Sequence, residues 1–171
     1  HVAGPFLLTK LLRPALSAAG GARVVWVSSG GMYARRLNLA DYNWQQRRPY
    51  DGVVAYAETK RAQVVLAEMW AHELGAQRIV VNAMHPGWAD TPGVQSSIPR
   101  FRQVTRAILR TPAQGADTIV WLAASDAAAE ITGEFVFDRK PRLKHLLPTT
   151  RESDADRRAL WRLCESLAAP R

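Results

Sequence analysis

Tyr56 and Lys60 place a phenol and an ammonium four residues apart, in a stretch, Tyr56-Ala-Glu-Thr-Lys60, that reads as helix. Side chains at that spacing share one helical face. A cation beside a phenol favours the phenolate and draws a tyrosine down from its usual pKa of about 10. A group tuned in this way gives or takes a proton near neutral pH, a step common to carbonyl reduction and alcohol oxidation. The pair by itself is equally compatible with an amphipathic helix carrying a solvated lysine, so its surroundings decide.

Those surroundings are two apolar runs with polar ends. Arg23–Val27 is β-branched and apolar at nearly every position, the habit of a strand covered on both faces, and it ends in Ser28-Ser29-Gly30-Gly31. Arg78–Met84 reads as a second strand and runs into His85-Pro86-Gly87-Trp88-Ala89-Asp90-Thr91-Pro92-Gly93. In open α/β sheets ligands sit beyond the carboxyl ends of the strands. Ser29 therefore stands where a substrate oxygen could be held, although a Ser/Gly turn is also an ordinary way to end a strand. Proline and glycine at the second end let the backbone approach a flat ligand, with the Thr91 hydroxyl five residues beyond Pro86.

The remaining elements must carry these ends. Pro5–Ala19 predicts a helix that Pro14 interrupts or kinks. Residues 32–53 form a long connection whose Tyr33, Tyr42, Trp44 and Tyr50 either wall an apolar pocket or cover the helices beneath. Asp51-Gly52 signals a turn before a helix over Val54–Leu74, apolar around much of its circumference and so buried on several sides. Residues 95–110 read as a loop and helix able to act as a lid, with Arg102, Arg106 and Arg110 along one face. Pro112–Ala124 reads as helix and Gly133–Phe137 as the last strand. Lys140–Thr150 reads as a basic linker, and a final helix capped by Ser153 runs to Leu167.

Ser28-Ser29-Gly30, Tyr56-x-x-x-Lys60 and Pro86-Gly87-x-x-x-Thr91, in that order and with these intervening elements, resemble the carboxyl half of a short-chain dehydrogenase/reductase. The insert between Ser29 and Tyr56 is similar to that of the retinol-dehydrogenase-like branch. The run His85–Val94, with Ser29–Met32 and Gln114–Asp117, narrows the resemblance to one member of the family. The resemblance implies an α/β, Rossmann-like doubly wound parallel sheet, here only its carboxyl-terminal half, strands five to seven. It implies NAD(P) as cofactor, and hydride transfer to a small-molecule carbonyl or from an alcohol. Tyr56 would be the general acid or base, Lys60 would favour its phenolate and bind the nicotinamide ribose, and Ser29 would polarise the substrate oxygen. Pro86, Gly87 and Thr91 would line the nicotinamide end, together with Tyr56 and Lys60. In the family the long helix often packs against its copy, which implies a homo-oligomer.

The family's Gly-x-x-x-Gly-x-Gly turn, which binds pyrophosphate at a helix N-terminus, does not occur in this chain. Residues 1–139 then read as a partial domain and 140–171 as linker and terminal helix. The first strand would expose an edge, so the chain is expected to be incomplete on its own. A non-catalytic interaction module derived from the fold is the alternative.

Composition narrows the remaining classes. With 47% hydrophobic and 22% charged residues over 171 positions, the chain is globular rather than disordered. No apolar run is long enough for a membrane span and no signal-peptide pattern opens the sequence. The one cysteine, Cys164, excludes an internal disulfide, and a cytoplasmic location is expected. His72, His85 and His145 lack metal-ligand spacing, so no metal is expected. A net charge of +8 admits an anionic partner, but no nucleic-acid motif accompanies it.

Overall fold

Strands β1 (Ala22–Val27) and β2 (Ile79–Met84) pair in parallel along their whole length, from Ala22 opposite Ile79 to Val27 opposite Met84. Their carboxyl ends are therefore level. β3 (Phe135–Phe137) continues the sheet in parallel beside β2, and β4 (Lys140–Arg142) closes it antiparallel, giving the order β1-β2-β3-β4. The computed structural model describes residues 1–93, 103, 105 and 108–169. The fold is the α/β, mostly parallel arrangement that the sequence implies, with β1 as an open edge.

Alternation along β2 sends its side chains to two layers. Ile79, Val81 and Ala83 face a core built by α1 (Ala3–Ala18), α2 (Gly52–Leu74) and α4 (Asp154–Leu167). Met84 and Val136 face α3 (Pro112–Ala124), where Leu122 is buried against them. β1 and β2 are thus covered on both faces, which is why apolar residues dominate both strands, with Arg23 and Asn82 the polar exceptions.

Asp51 caps α2 by accepting the amides of Val53 and Val54 at 2.9 and 3.0 Å, an arrangement that fixes where the Tyr56 helix begins. The apolar girdle of α2 finds its cover inside the chain. Trp70 of α2 meets Phe6 of α1 at 5.1 Å and Trp161 of α4 at 4.7 Å between ring centres. Ser153 and Asp156 form the capping box of α4, so Ser153 is the expected cap. Burial beside this cluster pushes the Cys164 thiol up to about 11, leaving it a packing group rather than a nucleophile.

Two expectations are corrected. α1 runs unbroken through Pro14. That proline is exposed, so the carbonyl one turn back that loses its amide partner can be solvated. The 140–150 stretch is not merely a linker, because Lys140–Arg142 is strand β4. The β3–β4 turn consists of Asp138 and Arg139 with φ of +53° and +56°, the left-handed pair that a tight hairpin demands. No glycine signals it, and Pro141 argues against a strand. Ion pairs hold both residues there, Asp138 to Arg110 and Arg139 to Asp117.

Beside β1, α1 presents Leu8, Leu11 and Leu12, which are exposed. A groove of about 460 Å³ separates α1 from the open strand edge, lined by Leu8, Leu12, Val24, Trp26 and Val27. Helix α4 anchors the opposite side of α1. Leu160→Ala should lower stability by about 2–5 kcal/mol, the usual result of emptying a buried leucine site. A urea titration followed by tryptophan fluorescence measures it. A loss below about 1 kcal/mol would mean that α4 is not part of this core.

Candidate active site

The two serines ending β1 divide into one that braces and one that faces out. Ser28 is buried. Its amide donates to the Met84 carbonyl and its hydroxyl to the Lys60 carbonyl, each at 2.8 Å. The strand end is thereby joined to β2 on one side and to α2 on the other. Ser29 is half-buried, and its Oγ accepts the Gly31 amide at 3.2 Å, capping the short helical turn Gly30–Ala34.

Gly31 brings the hydroxyl and the phenol ring to one place. A Cβ there would stand 3.7 Å from Ser29 Oγ and 3.9 Å from Tyr56 Cε1. The serine hydroxyl and the tyrosine ring edge therefore both border the small space beside Gly31. Tyr56 is 42% exposed, so this space is reached from solvent. Lys60 Nζ lies 5.4 Å from the centre of the Tyr56 ring. It donates to the Val27 carbonyl at 2.9 Å and to Gln63 Oε1 at 3.1 Å. Burial holds its pKa below the usual lysine value. An ammonium has three N–H donors, and these bonds occupy two of them.

The end of β2 is held to α3 and β3. Gly87 has φ +80°, and a Cβ there would lie 2.7 Å from Arg110 Nε, so glycine is required for both backbone and space. Arg110 donates its amide to the Trp88 carbonyl at 2.7 Å, and its carbonyl accepts the Asp90 amide at 2.8 Å. Its guanidinium grips the Asp138 carboxylate through two nitrogens and lies 4.7 Å from the centre of the Phe137 ring. The sequence pattern set Arg110 on a helical face with Arg102 and Arg106. Arg110 instead closes the base of the turn, and Arg102 and Arg106 lie outside the described residues, as does most of the expected lid. Pro86 follows directly, with its carbonyl 3.7 Å from where a Gly115 Cβ would sit. Thr91 is half-buried further along the same turn, its amide donating to Ala89 at 3.0 Å.

His85 links the two strand ends. Its ring stacks on Phe137 at 5.1 Å, and its Nε2 would lie 3.0 Å from a Cβ on Gly30. The first glycine of the serine turn thus stands against an imidazole from the end of the next strand. Burial, and secondarily the Arg110 cation, lowers its pKa to about 4 against the pull of Asp138, so it is neutral at pH 7. The glycines at 30 and 31 were the sequence signal for this contact, but nothing local identified the partner.

The expected aromatic connection mostly covers α2. Trp44 Nε1 donates to Glu58 Oε2 at 3.2 Å, and the Arg47 guanidinium stacks on Trp44 at 3.8 Å while pairing with Glu58. Tyr50, 62% exposed, stands at the start of α2. Among the described residues no cluster of metal-ligating side chains exists and no helix is long and apolar enough to cross a membrane.

Residues 1–138 match the sequence profile of a family described as enoyl-(acyl carrier protein) reductase. The chain is 47% identical over 167 residues to dehydrogenase/reductase SDR family member 12 of Homo sapiens, covering 96% of this chain and 52% of that protein. This is the member that the His85–Val94 run resembles. Identity to retinol dehydrogenase 14 of Mus musculus is 32% over 168 residues, covering 95% and 49%. Among solved structures, 3-oxoacyl-[acyl-carrier protein] reductase from Brucella melitensis superposes with a TM-score of 0.60 at 27% identity, over 79% of this chain and 47% of that one. An angucycline C-6 ketoreductase solved with bound NADP gives 0.58 at 29%, over 79% and 48%. The chain spans about half the length of the curated relatives it matches.

The depressed His85 pKa has a consequence for stability. The folded state binds fewer protons than the unfolded chain, so the contribution of His85 is intact above its ordinary 6.5 and is lost as pH falls towards 4. NMR titration should place the imidazole midpoint near 4, and His85→Phe should flatten the fall in melting temperature across that window. A midpoint near 6.5 would refute the burial argument.

Proposed function

From the premise that the chain belongs to the short-chain dehydrogenase/reductase family, we propose that it carries the proton-transfer half of an NAD(P)-dependent oxidoreductase site acting on a small-molecule carbonyl or alcohol. The observation that carries this reading is the shared space at Gly31, flanked by Ser29 Oγ and the Tyr56 ring edge, with the Lys60 ammonium 5.4 Å from that ring.

Bound NAD(P) supplies or removes hydride. Ser29 Oγ, held by the Gly31 amide, donates a hydrogen bond to the substrate oxygen and polarises it. Tyr56 gives that oxygen its proton in reduction and takes it back in oxidation, a role worth about 10²–10⁴-fold in rate. The Lys60 cation stabilises the phenolate left behind. Its remaining N–H, unpaired among the described residues, would meet a ribose hydroxyl, and Pro86, Gly87 and Thr91 would line the nicotinamide end. The fit extends to that end only, because the glycine turn for pyrophosphate is not in this sequence. The complete protein would supply it on a further segment lying along the open β1 edge, and homo-oligomers would form beyond that.

In the complete protein Tyr56→Phe should lower nicotinamide-dependent turnover by about 10²-fold or more, with an unchanged melting temperature because Tyr56 is an exposed residue. Unchanged turnover overturns the acid/base role. A second reading, a non-catalytic interaction module, is favoured by the exposed leucines of α1 beside the open strand. Fluorescence titration of this 171-residue chain with NADH and NADPH should show negligible affinity. Tight binding would contradict the need for a further segment.

A further inference from the structure

Residues 143–147, Leu-Lys-His-Leu-Leu, are folded inside out. Leu143, Leu146 and Leu147 are 72%, 62% and 60% exposed, whereas the two polar residues between them point inward. Lys144 pairs with Glu68 of α2, and its carbonyl accepts from Arg61 Nη1 at 2.7 Å. His145 Nε2 meets Glu152 at 3.3 Å and its Nδ1 meets Thr150 Oγ1 at 3.1 Å. Glu152 in turn lies 3.6 Å from Arg61, which has no exposed surface. Tyr33 fixes the segment from a third side, donating its hydroxyl to the Leu143 carbonyl at 2.5 Å.

Turning the leucines inward would take the Lys144 carbonyl from Arg61 and the His145 imidazole from Glu152, leaving that buried ion pair short of hydrogen-bond partners, which is unfavourable. The outward leucines are therefore a fixed feature of the native chain. Contiguous exposed apolar groups of this kind mark an interaction surface. Their flanks identify the partner. Lys140, Arg142 and Arg151 are exposed and make no ion pair among the described residues, and the chain as a whole carries +8. At this patch a second copy would set like charges against one another, whereas an anionic surface would be attracted. The sheet order also puts β4 at the edge opposite β1, away from the open groove.

We propose that residues 140–151 form an interfacial anchor, with Leu143, Leu146 and Leu147 entering the acyl boundary of an anionic bilayer while Lys140, Arg142 and Arg151 meet its headgroups. Apolar insertion combined with basic flanks is the general pattern of peripheral membrane attachment. It requires no spanning helix and no catalytic activity.

The test uses this chain and lipid vesicles. It should co-sediment with phosphatidylcholine vesicles containing phosphatidylserine, and less so as salt is raised. Replacing the three leucines by serine should weaken binding about tenfold or more without lowering the melting temperature. Lys140→Glu with Arg142→Glu should weaken it similarly on anionic vesicles. Absence of vesicle binding, or equal binding by the serine variant, overturns the proposal. So does a concentration-dependent dimer that the serine variant dissolves while vesicles are ignored. As an independent readout, Leu147→Cys can be labelled selectively with an environment-sensitive dye, because Cys164 is buried. Its emission should shift blue on anionic vesicles while a dye on Glu165→Cys does not, and no shift at residue 147 counts equally against the anchor.

Discussion

A crossed pair of backbone contacts holds the candidate site together. The Ser28 hydroxyl of the strand end donates to the Lys60 carbonyl of α2, and the Lys60 ammonium donates back to the Val27 carbonyl. Each residue thus anchors the other's backbone. Because Ser29 follows Ser28, and Tyr56 lies one helical turn before Lys60, the brace sets how far the hydroxyl stands from the phenol ring. It also places a cation beside that ring without leaving it free to wander, since two of its three donors are engaged. Preorganisation of this kind lets a site act without reorganising its dipoles at each turnover.

Around that brace, glycines and tight turns keep the space open. Gly31 leaves the gap between Ser29 and Tyr56, Gly30 admits the His85 ring, and Gly87 admits the Arg110 side chain. The left-handed pair Asp138-Arg139 is held by two ion pairs, one of which also closes the base of the Gly87 turn. The ends of β1, β2 and β3 are consequently one mechanical unit. Arg110 lies over Phe137, Phe137 stacks on His85, and His85 stands directly against Gly30 of the serine turn, although neither Arg110 nor His85 touches Tyr56 in the described contacts.

The carboxyl-terminal segment uses polarity in the opposite sense from a typical surface strand. Its Lys144 ammonium serves the Glu68 carboxylate, its His145 imidazole meets the buried Glu152 side chain, and its leucines are left to solvent. Desolvation raises the pKa of Glu152 and lowers that of His145, with Arg61 opposing the first shift and reinforcing the second. The network therefore holds its shape through polar contacts rather than apolar burial. The same tail continues into α4, whose Leu160 and Trp161 complete the core beside Phe6 and Trp70. One short stretch of chain thus carries both the core cover and the exposed leucines.

The sequence alone determined the two parallel strands and the helix between them, and it set out Ser29, Tyr56, Lys60 and the Pro86-Gly87 turn as an expected group, because hydrophobic period and motif spacing are local properties. Ser153 was legible as a cap for the same reason. The sequence reading singled out Ser29, but local spacing did not reveal that Ser28 braces the strand end to α2. Nor did it show that Arg110 serves a turn instead of a helical face, or that Asp138-Arg139 makes a hairpin without glycine. Those outcomes depend on partners 28, 32 and 22 residues away, Asp138 for Arg110, Lys60 for Ser28 and Asp117 for Arg139. The outward leucines belong to the same class. Only the folded chain, with Arg61 and Glu152 already buried, makes it unfavourable to turn Lys144 and His145 away from them.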